Sequence, residues 1–152
     1  MGLYQIALFL HIVGAMLLFV IMTVEGFSLR LGRSSARFGQ IVGPISAVLV
    51  LFPGLYMMAT TWGWKGWIGV GITGWVMVAV AAAITGVLLA RGRVSPRSAG
   101  ISWATRLGMT VGIVFIMSVK PDLAASVLAV LLGAAAGAAS GVVTARRLEV
   151  AP

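Results

Sequence analysis

The sequence predicts an all-α fold, a polytopic membrane bundle of five transmembrane helices joined by short connections. Of its 152 residues, 61% are hydrophobic and only 9% are charged, whereas soluble domains carry about 25% charged residues. The apolar residues form five long runs, and most charged residues lie in short clusters between them. A soluble globular protein is thereby excluded. The absence of cysteine also excludes disulfides, iron–sulfur clusters and thiol catalysis.

Each apolar run is long enough to cross a hydrocarbon core about 30 Å thick, which takes about 20 helical residues. We expect a single transmembrane domain over residues 1–152. The first run lacks a basic segment before it and is too long for a signal peptide, so we expect it to remain in the protein as a span. The expected spans are about 4–29, 39–61, 67–90, 100–119 and 121–144.

The segment Lys120-Pro121-Asp122 separates the last two spans. A single helix over both runs would be about 67 Å long, which no bilayer accommodates as one span. Pro121 cannot donate to the preceding helix but suits the first position of a new one. Asp122 complements the positive end of that new helix. We therefore expect a helix break here.

The distribution of basic residues predicts the orientation in the membrane. The second and fourth connections carry only Lys65 and Lys120, whereas the first and third connections and the C-terminus are rich in arginine. The positive-inside rule then places the N-terminus outside and the C-terminus in the cytoplasm of a multi-pass protein of the cell membrane. The rule also accounts for the net charge of +8, so no nucleic-acid partner is expected. The arginines in question are Arg30, Arg33, Arg37, Arg91, Arg93, Arg97, Arg146 and Arg147.

His11 is the only histidine and lies about seven residues below the outer end of the first span. A polar residue at that depth is a candidate functional residue, as a metal or haem ligand or a proton carrier. The thioethers of Met57 and Met58 lie at similar depth and could join it in binding copper(I) or haem b. The competing interpretation is that neutral His11 bonds to a neighbouring helix and fixes the packing, and this interpretation is favoured over a bound cofactor.

Glu25 and Arg106 lie at similar depth on the inner side, in the first and fourth spans. Opposite charges inside a bilayer usually pair with one another, so the sequence predicts an intramembrane ion pair. A proton or ion relay is the alternative, because Glu25 follows His11 by 14 positions and returns to about the same helix face.

Small residues recur in the fourth and fifth spans. A spacing of about four residues puts them on one helix face, where they allow another backbone to approach closely. The partner is either the fourth span itself or a second subunit, and we favour packing within the chain. The residues are Gly108 and Gly112, then Ala125, Ala129, Gly133, Gly137 and Gly141.

Two segments carry a resemblance to known families. LFLHIVGAMLLF and FIMSVKPDLAASVLAVL resemble small bacterial predicted integral membrane proteins of unknown function. The element HIVGA, from His11 to Ala15, is also similar to the first helix of copper-resistance D-like membrane domains. The second resemblance implies a metal or haem role for His11, although this sequence carries no second histidine.

Three functions remain open at the level of sequence. The favoured one is a non-enzymatic packing partner or accessory subunit in the lipid bilayer, together with other membrane subunits or as a homodimer. The second is a small transporter or ion-conducting protein that uses His11 and Glu25. The third is a redox protein that binds haem or copper through His11 and Met57 or Met58. Phosphate loops, dinucleotide fingerprints, zinc-protease pairs and nucleophile elbows are all absent, so an enzyme is not favoured.

The first prediction concerns topology. Reporter proteins that are active on only one side of the membrane, fused to either terminus, should place the N-terminus outside and the C-terminus inside, because eight loop arginines oppose two loop lysines. Two termini on the same side would contradict the five-span topology.

The second prediction concerns the ion pair. Glu25→Gln and Arg106→Gln should each destabilise the protein by about 3–5 kcal/mol, because each leaves an uncompensated charge in the membrane. The double variant should lose less than either single variant. Thermal unfolding in detergent measures the losses, and strictly additive effects would show that the two side chains do not interact.

Overall fold

The computed structural model describes residues 2–31 and 36–150, apart from the side chains of residues 36, 37, 40 and 147–150. It confirms the predicted all-α class, with five helices long and apolar enough to span a membrane and no strand in the described part of the chain. The helices are α1 (Leu3–Arg30), α2 (Ala36–Met57), α3 (Gly66–Ala90), α4 (Pro96–Val119) and α5 (Leu123–Val150), and a π-helical turn (Met58–Trp62) extends α2.

The break between α4 and α5 follows local backbone chemistry. Lys120 adopts a left-handed conformation (φ 55°), and its N–H bonds to the carbonyl of Ile116. The new helix begins at Leu123, two residues later than Pro121, the start expected from the sequence. Asp122 caps it, since its side chain accepts a hydrogen bond from the Ala125 N–H at 2.8 Å. A carboxylate at this position satisfies an N–H that otherwise has no partner and complements the helix dipole.

The chain divides into two compact units, Met1–Lys65 and Gly66–Pro152. The first contains α1, α2 and the π-helical turn, and the second contains α3, α4 and α5. Each unit has its own helix–helix contacts. The single domain expected from the sequence stays a prediction.

In the first unit, α1 and α2 approach each other at Gly14. A Cβ atom at this glycine would lie 2.8 Å from both the backbone nitrogen of Val50 and the Cβ of Leu49. That is closer than carbon and nitrogen atoms can pack, so only glycine allows this separation. One turn away, the buried Ser46 hydroxyl donates to the Gly14 carbonyl at 3.0 Å.

Two prolines lie inside α2, which nevertheless runs unbroken from Ala36 to Met57. Pro53 has no N–H for the carbonyl four residues before it, so the helix lacks one ladder hydrogen bond near Leu49. The π-helical turn that follows ends at Gly63, whose N–H bonds to the Met58 carbonyl at 2.8 Å and whose φ is +62°.

In the second unit, glycines bring the backbones of α4 and α5 into contact. A Cβ at Gly112 would lie 2.9 Å from the Ala129 carbonyl oxygen. A Cβ at Gly108 would overlap the Gly133 carbonyl oxygen, and one at Gly137 would overlap that of Ala104. Lipid is as apolar as a leucine side chain, so close packing and weak Cα–H contacts supply the attraction between such helices.

Helix α3 packs on the same pair. A Cβ at Gly74 would lie 3.1 Å from the Cδ1 of Ile113 on α4. Nearer the other end of α3, the hydroxyls of Thr85 and Ser102 are hydrogen-bonded at 2.8 Å. Lipid cannot form hydrogen bonds with these hydroxyls as water would, so the two hydroxyls bond to each other. This bond holds α3 against α4.

The third prediction follows from the contact between α4 and α5. Gly137→Leu should sharply lower the yield of folded protein, because its side chain would enter the space of the Ala104 carbonyl. The oligomeric state of the folded fraction should not change. Ala136→Leu is the matched control, since Ala136 is exposed on the same helix and should tolerate leucine.

Sizing chromatography after detergent extraction measures both the yield and the oligomeric state. A well-folded Gly137→Leu protein that only falls from dimer to monomer would show that the small residues of α5 serve a second subunit.

Candidate functional site

His11 on α1 is bound to the backbone of α2. Its ring atom Nδ1 lies 2.8 Å from the carbonyl oxygen of Val50, and the side chain is half-buried. A carbonyl oxygen can only accept, so Nδ1 carries the proton and donates. In the neutral imidazole, the lone pair therefore resides on Nε2.

A glycine on α2 makes room for the imidazole. A Cβ atom at Gly54 would lie 3.2 Å from both Cε1 and Nδ1 of His11. A side chain at position 54 would therefore press on the ring that bonds to Val50. The imidazole ring therefore lies against the backbone of Gly54, one helical turn beyond the Val50 carbonyl.

The hydrogen bonds between α1 and α2 run in both directions. His11 of α1 donates to Val50 of α2, and Ser46 of α2 donates to Gly14 of α1. Donors and acceptors at this level satisfy each other without water, which the hydrocarbon core does not supply. The four residues form what we call the His11 clasp: His11, Gly14, Ser46 and Val50.

The sequence indicated His11 but not its partners. Gly14 lies in the HIVGA element, and Ser46 is a lone hydroxyl in an apolar stretch of the second span. Ser46, Val50 and Gly54 are spaced by four residues and so share one face of α2. This four-residue spacing is visible in the sequence and indicates that the three residues act together, but it does not identify the helix that the face contacts.

The two candidate thioether ligands differ in exposure. Met57 is buried and Met58, in the π-helical turn, is half-buried. The described residues contain no group of three or more histidine, cysteine or carboxylate side chains that could hold a metal. Thioethers lie outside that set, so binding of copper or haem by His11 with Met57 or Met58 stays a hypothesis.

The proposed ion-pair residues lie in different units. Glu25 is half-buried on α1, and Arg106 is 2% exposed on α4. The Thr110 hydroxyl donates to the Arg106 carbonyl at 2.9 Å. Met22 is buried, and it lies on the face of α1 on which helical spacing also places His11 and Glu25. The pairing of Glu25 with Arg106 stays a prediction.

The small residues of the fourth and fifth spans divide into two groups. Ala125 is exposed. The others lie where α4 meets α5, namely Gly108, Gly112, Ala129, Gly133, Gly137 and Gly141. Gly141 extends this contact to the first turns of α4, since its Cβ would lie 3.0 Å from the Cα of Ile101.

No protein-family model, curated protein or solved structure matches this chain.

The fourth prediction concerns the His11 clasp. His11→Leu should destabilise the protein by about 0.6 kcal/mol and by at most about 1.7 kcal/mol, the average and the largest value measured for hydrogen bonds between membrane helices. His11→Asn should retain most of the stability, because its amide nitrogen can occupy the position of Nδ1 and donate to the Val50 carbonyl. Thermal unfolding in detergent compares the two variants, and equal losses would show that the hydrogen bond contributes little.

Proposed function

We propose that this chain is a non-enzymatic integral membrane protein that acts as a helix-packing partner or accessory subunit. The observation that carries the proposal is the 2.8 Å hydrogen bond from His11 to Val50. The side chain best suited to chemistry uses one ring nitrogen to join two helices, and its ring lies against Gly54. A polar residue used in this way stabilises a membrane fold.

Hydroxyl groups within the spans support the same proposal. Ser46 joins α2 to α1, and Thr85 with Ser102 joins α3 to α4. Several others bond to carbonyls of their own helix, as Thr23 does to Phe19. These side chains satisfy backbone or side-chain groups of neighbouring turns and helices, which is expected of a scaffold.

Large apolar side chains are exposed on all five helices and could contact lipid or another subunit. Apolar surface of this kind suits acyl chains and apolar helices equally well. An accessory subunit would use part of it against its partner. Examples with at least half of their surface exposed are Phe9, Phe27, Phe52, Met77, Phe115 and Leu131.

The proposed location is the bacterial inner membrane, with the N-terminus outside and the C-terminus in the cytoplasm. Five helices of membrane-spanning length and composition support a multi-pass protein. The orientation rests on the arginines of the first and third connections and the C-terminus, by the positive-inside rule.

The decisive experiment extracts the full chain from its native membrane into polymer-bounded lipid discs and measures its mass and subunit composition. An accessory subunit should appear in one complex of fixed stoichiometry with a second membrane protein. His11→Asn should preserve the complex, whereas His11→Leu should reduce it in proportion to the loss of folded protein.

The opposing result is a chain that occurs alone in the discs and transports protons or ions after reconstitution in vesicles. Glu25→Gln, with His11→Asn as the second variant, tests whether such transport depends on these side chains. Transport lost in both variants, at an amount of folded protein equal to that of wild type, would overturn the packing role in favour of a transporter.

A second candidate function, haem or copper binding, is favoured by the tautomer of His11. Histidines that bind metals usually donate their other ring N–H to a carbonyl or carboxylate, which orients the coordinating nitrogen. His11 has this arrangement, with Nδ1 bonded to Val50 and the lone pair on Nε2. Met57 or Met58 would supply a second ligand, and a bound haem or copper would add one-electron redox chemistry.

Visible absorption and metal analysis of the purified protein test this candidate. A Soret band or stoichiometric copper that disappears in His11→Asn would establish it, because asparagine keeps the bond to Val50 but removes the imidazole lone pair. A spectrum without such bands and a preparation without copper would rule it out.

A further inference from the structure

The turn between α3 and α4 presents arginines on a rigid backbone. Helix α3 ends in a Schellman motif: the Gly92 N–H bonds to the Leu89 carbonyl, the Arg93 N–H bonds to the Leu88 carbonyl, and Gly92 has φ +65°. Arg91 and Arg93 flank this glycine, and both are exposed. The motif satisfies the last carbonyls of the helix, so it fixes the backbone that carries the two side chains.

The first turn of α4 adds a third cation. Ser95 caps the helix by accepting the Ser98 N–H at 3.1 Å, Pro96 is the first helical residue, and exposed Arg97 follows. No acidic residue lies in this turn. A helix N-terminus favours negative charge, so a cation here increases the positive potential instead of offsetting it.

The C-terminal part of α5 lies at the same level. The contacts pair residue 112 with 129, 108 with 133, 104 with 137 and 101 with 141. Continuing that register places the first turn of α4 beside residues 144–146, which include exposed Arg146. We call Arg91, Arg93, Arg97 and Arg146 the arginine rim of the second unit.

Acidic residues are few in the second unit. Glu25 belongs to α1, and Asp122 caps the opposite end of α5. Glu149 lies in the last turn of α5, and its side chain is outside the described residues. Between Gly66 and Arg146, the second unit has one acidic residue, Asp122, and it lies at the other end of α4 and α5.

We propose that the arginine rim binds the headgroup phosphates of anionic phospholipids. The rim lies at the ends of three helices long enough to span a membrane, where phosphates of the bilayer are found. Guanidinium groups bind phosphate through two parallel hydrogen bonds. The positive-inside rule accounts for the sign of the charge, but the capped, hydrogen-bonded turn also gives three of the arginines a fixed backbone arrangement.

The occupant is a lipid headgroup because the rim borders apolar surface. Val94, in the middle of the turn, is half-buried, and exposed Val87 lies one turn before Arg91 on α3. An acyl chain can lie along such a helix while its phosphate contacts the arginines. Free phosphate would gain the charge interaction but not the apolar contact.

The test uses the full chain in vesicles of equal parts phosphatidylcholine and phosphatidylglycerol, with spin-labelled versions of each lipid. The fraction of motionally restricted label gives the relative association of the two lipids with the protein. Wild type should prefer phosphatidylglycerol by about 5-fold or more, since one cation near an anionic surface contributes about this factor. The variant R91Q/R93Q/R97Q should show nearly equal association.

The matched control is R30Q/R33Q/R37Q, which removes the same charge from the first connection. It should keep most of the preference for phosphatidylglycerol. A wild type without preference, an unchanged rim variant, or equal losses in the two triple variants would overturn the proposal, the last by showing a diffuse effect of net charge.

Photocrosslinking keeps the proposal falsifiable if the rim variant does not fold. Wild-type protein is irradiated with phosphatidylglycerol that carries a photoreactive headgroup, and the adducts are mapped by mass spectrometry. Adducts should concentrate in the peptides around residues 91–97 and the end of α5. Adducts spread evenly over both ends of the helices would overturn the proposal.

Discussion

Close approach of helix backbones is the constraint on which both units depend. Apolar side chains gain little by leaving lipid for a protein interior that is equally apolar, so association must come from tight packing and hydrogen bonds. At Gly14, Gly108 and Gly137 a Cβ would collide with backbone or Cβ atoms of the facing helix. The glycines thus set how near the helices lie and which carbonyls and hydroxyls can meet.

The His11 clasp depends on that spacing. Because Gly14 and Gly54 carry no side chain, α1 and α2 come near enough for His11 to reach Val50 and for Ser46 to reach Gly14. An imidazole inside a membrane usually indicates chemistry, but here one ring nitrogen serves the fold. A metal or haem, if His11 bound one, would be coordinated by Nε2, because Nδ1 is bonded to Val50. The two proposed roles of His11 therefore differ in a measurable property, the absorption spectrum.

Polar groups at the ends of the helices lie in a different environment from those within the spans. Within the spans, several hydroxyl groups are bonded to nearby carbonyls or hydroxyls, as the Thr110 hydroxyl is to the Arg106 carbonyl. At the rim, arginines are exposed on a turn fixed by Gly92 and Ser95. Charge is tolerated there because water and headgroups solvate it. A packing partner held by lipid headgroups at one end would have its helix ends anchored at a defined depth, so the two proposals are compatible.

The number and type of helices can be predicted from the amino-acid sequence, because they follow from local properties. The length of each apolar run, compared with the thickness of a bilayer, predicts five helices. The break between α4 and α5 at Lys120 to Asp122 depends only on a proline, a helix cap and a left-handed residue. Which helix faces meet depends on the packing of the folded chain and is seen only in the structure. Hydropathy cannot tell a face toward lipid from a face toward protein, so the sequence did not show that Ala125 is exposed or that His11 binds Val50.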